Sequence, residues 1–279
     1  TFDKKFGAHH ITATGVFETQ QQKTKNENGS GNQPSNDLRV LNNALNQSVS
    51  TTVGENFLVS LLGRVSYDYL GKYMLTATIR RDGLSVWAPG KKYGNFPSAS
   101  AGWRIDQEKF MENQRIFSAL KLRGGYGVTG INGVLLGNTP WLVNVSANSS
   151  NYPFNNTPGG LGSAINQLGN RDLEWETTQQ YNVGVDLAVL KNKLTLTVDY
   201  FHRQTDNLIL GVTVPPSFGY INSNVNKNVG SMENRGWEFV LGYNGQSGDF
   251  HWNASANASF IKNNVLGLAE GITNIEAGA

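Results

Sequence analysis

The chain has 279 residues, a formal net charge of +2 and only 16% charged residues, with 32 glycines, 8 prolines and no cysteine. The missing cysteines exclude a disulfide scaffold, thiolate metal sites and thiol catalysis. The weak net charge argues against a nucleic-acid binder, which carries a basic face. No apolar run approaches the roughly 20 residues of a membrane helix. A mean hydropathy of −0.37 does not by itself indicate a soluble protein, because a membrane β-barrel alternates apolar and polar residues and averages to mildly polar.

Taken in chain order, Thr1–Lys5 (TFDKK) offers neither an initiator Met nor the apolar segment of a signal peptide. The last residues, ITNIEAGA, form no recognisable terminus, so an internal piece of a longer protein is expected. A period of two then recurs along the chain. It is weak over Ile11–Phe17. It strengthens where Phe57, Val59, Leu61, Val65 and Tyr67 oppose Ser60, Arg64, Ser66 and Asp68. Tyr73, Leu75, Ala77 and Ile79 oppose Thr76, Thr78 and Arg80, and Pro97–Ile105 repeats the pattern weakly. Asp106–Ala119 is the one helix-like stretch, with Phe110, Ile116 and Phe117 on a shared face. Alternation resumes over Leu120–Val128, Tyr181–Val189, Leu194–Phe201, Trp237–Asn244 and Phe250–Phe260. About nine strands of roughly ten residues are predicted, longer than the usual mode of about 5–6.

Tight turns are predicted at Tyr69–Tyr73, Leu190–Lys193 and Asn244–Asp249, and a moderate connection at the helix-like stretch. Long polar segments are predicted at about Lys23–Val53, Gly83–Asn95, Ile131–Asp172 and Asn207–Glu233. Short and long connections alternate strictly. In an up-and-down meander this puts every short turn at one end and every long loop at the other.

A soluble β-sandwich also alternates apolar and polar residues. Strand length separates the two readings, since ten residues at roughly 3.3 Å, tilted about 40°, span the roughly 25 Å lipid-facing band of a barrel. Aromatic placement separates them too. Tyr67, Tyr73, Tyr243, Phe250 and Trp252 mark the turn end of the apolar faces, and Phe57, Tyr181, Tyr200, Trp237 and Phe260 the loop end. Leu, Val, Ile and Ala lie between, as expected of two membrane–water interfaces. The opposite faces hold Ser, Thr, Asn and Gly with Arg64, Arg80, Arg104, Arg123, Asp186, Asp199 and Glu238, which suits a polar lumen.

Five segments then resemble a known family. RVSYDYLGKYMLTATIRRDGLSVW (64–87), YGNFPSASAGWRI (93–105), LKLRGGYGVTG (120–130), NRDLEWETTQQY (170–181) and NRGWEFVLGY (234–243) occur in this order. Together they resemble SusC/RagA-type TonB-dependent outer-membrane transporters of Bacteroidota, from about Phe57 to Leu268. One departure is Leu84–Ser85, where a small polar pair usually follows RRDG. The resemblance implies a 22-stranded barrel closed around a plug. It implies energy delivered by the TonB complex through a box ahead of the plug, and a SusD-like lipoprotein as lid. The implied cargo is an oligosaccharide or a peptide. Residues 1–279 would be part of a single all-β, transmembrane antiparallel up-and-down barrel domain, about nine of its 22 strands. The plug and the TonB box would lie outside this chain. The alternatives are a passive porin or adhesin-type barrel, or a soluble β-sandwich carbohydrate-binding module.

No catalytic, cofactor or metal site is expected. Gly125-Tyr126-Gly127-Val128-Thr129-Gly130 matches G-x-G-x-x-G, but no helix opens there to meet a pyrophosphate. His9 and His10 point to opposite faces of a strand, and His202 and His251 lie on other strands. Arg80-Arg81-Asp82-Gly83 reads as a lumen arginine, an interface arginine and an Asp-Gly turn rather than a phosphate clamp. Asp186 and Asp199 flank one tight turn on the polar face. They could form a glycosidase-like pair, although ion pairing with lumen arginines is simpler. The long connections carry Trp87, Tyr93, Trp141, Tyr152 and Phe154, rings that stack on sugar C–H faces and peptide side chains. They are expected to meet cargo or lid, with packing among the loops as the alternative.

Overall fold

The computed structural model describes residues 1–35, 37, 40–131, 137, 139–154, 157–215, 217 and 224–268, with the backbone alone for 147–154 and 157–161. The strands are β1 (Phe2–Phe6), β2 (His9–Asn32), β3 (Leu45–Tyr69), β4 (Tyr73–Leu84), β5 (Tyr93–Arg104) and β6 (Phe117–Ile131). They continue as β7 (Asn144–Phe154), β8 (Thr157–Gln167), β9 (Glu176–Val189), β10 (Leu194–Thr213), β11 (Asn224–Ser247) and β12 (Phe250–Gly267). Ten form one antiparallel sheet in the order β1-β2-β3-β4-β5-β6-β9-β10-β11-β12. β7 and β8 pair with each other inside the β6–β9 connection. The sheet is open, with β1 and β12 at its edges. All nine predicted strands are present, and β1 and the β7–β8 hairpin are added to them.

The tight turns fall where expected, but the strict alternation of lengths fails at the β5–β6 connection, residues 105–116, which is longer than the β4–β5 connection, residues 85–92. Phe6 pairs with His9, Tyr69 with Tyr73, Val189 with Leu194 and Ser247 with Phe250, so four hairpins turn within a few residues. Gly248 adopts φ +59°, which opens the two-residue turn before Phe250 at no steric cost. At the β9–β10 turn Leu190, Lys191 and Asn192 are all left-handed, at φ 55°, 57° and 65°. The Ser118 hydroxyl accepts the Asn192 N–H there, at 3.2 Å.

The helix-like stretch is not an α-helix. It forms two 3₁₀ turns, Ile105–Gln107 and Lys109–Met111. Phe110 and Ile116 are 68% and 69% exposed, so the apolar spacing finds nothing to pack against. Polar side chains hold the connection instead. Asp106 accepts from Arg104 (2.9 Å), Gln107 (2.8 Å) and the Leu120 N–H (3.2 Å). Burial alone would raise the Asp106 carboxyl. The donors outweigh it and hold the group below the usual carboxylate range. Gln114 Oε1 accepts both the Ile116 and Phe117 N–H groups, each at 2.8 Å.

Two predicted loops are largely strand. From Gln21↔Phe57 outward, β2 and β3 pair only with each other as far as Asn32↔Leu45. At roughly 3.3 Å per residue this ribbon projects about 40 Å beyond the sheet. β10 and β11 make a shorter ribbon over Leu208–Thr213 and Asn224–Gly230.

The apolar face of the sheet is bare. Leu61, Leu75 and Val183 are each more than half exposed, far from the burial a sandwich core gives such residues. An aromatic row crosses its turn end, following the register Phe6↔His9↔Tyr69↔Tyr73↔Trp103 through five strands. Neighbouring ring centroids lie 4.9–6.4 Å apart. The Tyr73 hydroxyl (2.6 Å) and the Trp103 indole N–H (3.0 Å) both donate to Glu108. These two donors, reinforced by Lys72, lower the pKa of Glu108. At the loop end Tyr200, Trp237 and Phe260 share a register row. On β9–β11 the aliphatic band of Leu187, Leu196, Leu241, Val185 and Val198 lies on the turn side of that row.

Candidate functional site

Alternation turns the other set of side chains to the polar face. There β5, β6, β9, β10 and β11 line a groove of about 660 Å³ with Ser98, Gly127, Thr129, Gln180, Arg203 and Asn234 among its walls. An adjoining hollow of about 540 Å³ adds Arg123, Asp199 and Glu238. The glycines of the G-x-G-x-x-G match lie on β6. A Cβ at Gly125 would meet Asn182 Oδ1 at 2.9 Å, and one at Gly127 would meet Ser98 Cβ at 3.3 Å. A Cβ at Gly130 would collide with the Phe96 ring. These glycines lie within a strand and admit neighbouring side chains.

Asp186 and Asp199 do come together, with Arg123 between them. Arg123 donates to Asp186 at 3.1 Å and to Asp199 at 2.6 Å, and Thr197 donates to Asp186 at 3.1 Å. The register sets Asp186 opposite Thr197 and Gly184 opposite Asp199. A Cβ at Gly184 would strike Asp199 and approach Arg123 Cζ to 2.8 Å, so the missing side chain makes room for the bridge. A guanidinium locked between two carboxylates ties three strands together.

Arg80 is engaged in the same way. It donates to Asp82 at 2.8 Å and to Ser60 at 3.0 Å, and approaches Glu18 at 3.8 Å. Arg81 points to the opposite face and lies 4.9 Å over the Tyr93 ring. Asp82 and Gly83 pair with Ser60 and Val59 inside β4 and are not a turn. Arg203 differs from both. Its Nε and Nη2 donate to Gln180 Oε1 at 3.1 and 2.9 Å, and it has no carboxylate partner among the described residues. His9 bonds Tyr67 and His10 bonds Asp3. Among the described residues no group of three metal ligands forms.

The five candidate rings separate. Trp87 is 0% exposed and packs with Leu84, Val86, Phe96, Leu173 and Trp175 in a core at the loop end. Its ring serves loop packing and offers cargo no surface. Tyr93 is exposed beside Arg81, and its ring covers Gly83 at the loop end of the apolar face. Trp141 is half-buried, with Arg171 at 5.9 Å over its ring. Tyr152 and Phe154 lie on β7, and their side chains are outside the described residues.

The segment NRDLEWETTQQY, singled out by resemblance alone, builds this end of the sheet. Leu173 (0% exposed) and Trp175 (6%) enter the core, and Trp175 Nε1 donates to the Lys92 carbonyl at 3.3 Å. Asn170 donates to the Asn226 carbonyl at 2.8 Å, and Glu176 accepts the Ile209 N–H at 2.7 Å. Asn228 accepts the Glu174 N–H at 3.0 Å and donates to the carbonyls of Glu174 (3.0 Å) and Asn207 (2.8 Å). Asn207 is itself left-handed at φ 58°, where β10 bulges. Lys91 reaches Glu174 at 2.9 Å, and that bond and charge raise its pKa. At the Leu84–Ser85 departure, Leu84 is in the core and Ser85 ends the β3–β4 pairing, exchanging hydrogen bonds with the Phe57 backbone at 2.9 Å.

Residues 1–275 match the family model described as TonB dependent receptor-like, beta-barrel. The chain is 35% identical over 275 residues to a TonB-dependent receptor of Formosa agariphila, across 97% of this chain and 25% of that protein. It is 34% identical over 229 residues to TonB-dependent receptor SusC of Bacteroides thetaiotaomicron, across 80% of this chain and 22% of that protein. The solved structure of the RagAB peptide transporter superposes with a TM-score of 0.82 at 25% identity, across 97% of this chain and 30% of the other. The chain thus spans about a quarter of the length of the curated relatives it matches.

Proposed function

The chain belongs to the TonB-dependent receptor β-barrel family, and from that premise we propose that it forms part of the wall of an outer-membrane importer. The observation that carries the proposal is the two-sided sheet. One face is bare, aliphatic and bounded by aromatic rows, and the other is polar, grooved and cross-linked by charge. Short turns then face the periplasm and long loops the exterior. The cargo is an oligosaccharide or peptide too large for porins. TonB acts through a plug outside this chain, and a SusD-like lipoprotein covers the mouth. The protein binds, opens and releases cargo without a covalent step.

Energy dependence tests this reading. Cells producing the full-length protein are fed labelled oligosaccharide or peptide pools. Uptake should stop when the proton-motive force is collapsed or TonB is deleted. Flux that survives both treatments would assign the wall to a passive pore instead.

Of the candidate rings, Tyr93, Trp141, Tyr152 and Phe154 stay proposed for contact with cargo or lid. Replacing Trp141, Tyr152 and Phe154 with alanine in the full-length protein should weaken cargo binding or lid association while folded barrel is retained. Unchanged affinity for both would assign the rings to packing within the loop.

A further inference from the structure

We propose that the loop-end border of the apolar face holds a site for the phosphate headgroup of an outer-leaflet lipid, formed by Arg235 and Lys262 above Tyr200, Trp237 and Phe260. The proposal rests on the reading of this face as membrane-facing. Two register rows build the site. Tyr200 pairs with Trp237 and Trp237 with Phe260. One alternation closer to the long loops, His202 pairs with Arg235 and Arg235 with Lys262. Side chains two apart on a strand share a face, so a basic tier sits directly on an aromatic tier. A hollow of about 570 Å³ runs between them, lined by Tyr200, Arg235, Trp237, Phe260 and Lys262.

The charges are only partly spent. Glu233 is the acid of this neighbourhood, and it is already engaged by His202 at 3.1 Å and Asn264 at 2.6 Å. Arg235 approaches it no closer than 4.0 Å. Lys262, on the edge strand β12, has no ion pair or hydrogen bond among the described residues, and its free side faces the position of the next barrel strand. Two cations therefore face outward with donors to spare, and a guanidinium fork fits phosphate oxygens. The floor beneath them is apolar. Phe260 is 67% exposed and Trp237 49%, with Tyr200 5.1 Å from Trp237. A soluble anion gains nothing from those rings. A phosphorylated lipid satisfies both tiers, its phosphate on Arg235 and Lys262 and its apolar body along the rings.

The test uses the full-length protein in detergent, titrated with bisphosphorylated lipid A or its dephosphorylated form, with adducts read by native mass spectrometry. The phosphorylated lipid should bind more tightly. The double change Arg235→Gln, Lys262→Gln should weaken it about thirtyfold, roughly a factor of five for each cation near an anionic surface. The exchange Arg235→Lys, Lys262→Arg should retain most of the binding. Inorganic phosphate at matching concentration should not displace the lipid. Equal binding of the two lipids, or no loss in the double variant, overturns the proposal. Displacement by inorganic phosphate also overturns it, in favour of a simple anion site. The comparison of the two lipids needs no variant and decides even if the double change does not fold. A full-length protein that forms no heat-modifiable barrel in detergent would instead overturn the membrane reading beneath it.

Discussion

Replacing Trp87 with alanine is expected to cost the full-length protein about 3–5 kcal/mol, the range for truncating a buried aromatic. The ring is wholly enclosed, 5.8 Å from Trp175, and it joins the β4–β5 connection to the segment that precedes β9. Its indole N–H has no hydrogen-bond partner among the described residues. Trp87→Phe should therefore cost much less than Trp87→Ala, since it keeps most of the volume and removes an unpartnered donor. The measurement is the midpoint of heat modifiability for the two variants beside the parent. A normal midpoint for Trp87→Ala together with weakened cargo binding would restore the ring to the mouth.

Placing arginine on Val198 should cost roughly 2–4 kcal/mol and impair assembly in the outer membrane. Val198 pairs with Val185 and Phe239, one alternation nearer the short turns than the row of Tyr200 and Trp237. Its neighbour Thr197 faces the other way, beside Asp186. There two carboxylates share one guanidinium, so Thr197→Arg adds a positive charge where negative charge is in excess and should be far milder. A sandwich core would also reject an arginine at Val198. Spin labels in the full-length protein separate the two cases. A label at 198 should be reached by oxygen and shielded from a polar nickel reagent. Shielding from both, with 197 open to bulk water, would make the apolar face a protein core.

The wall was legible where one face of each strand meets an apolar medium. Leu194, Leu196, Val198 and Tyr200 announce β10 because their neighbours Thr195, Thr197 and Asp199 are polar. That contrast fades where water reaches both faces. Thr24–Asn28 and Ser48–Thr52 pair fully in the β2–β3 ribbon, yet the sequence there reads as loop. β1 was missed because Asp3, Lys4 and Lys5 hide the pairing of Phe2 with Ala13 and Phe6 with His9. At 106–119 the opposite error arose, from apolar residues at helical spacing that have no surface to pack against. The Arg123 bridge was within reach of strand alternation, which set all three charges on one face. Burial of Trp87 was not, because it depends on Leu173 and Trp175, more than eighty residues later.

The loop-end core also has a mechanical consequence. Leu58, Leu84, Phe96, Val128, Trp175 and Ile209 bring six strands, or the segments leading into them, to one packed cluster. A hydrogen-bonded sheet resists stretching but can flex about an axis along its strands. Close-packed side chains are nearly incompressible, and here they pin that flexing at the loop end from β3 to β10. This stretch therefore moves as a stiff plate, while the turn end and the flank of β11 and β12 stay compliant. In the proposed importer, widening along this wall is expected beside the plate, at its flanks, rather than through it.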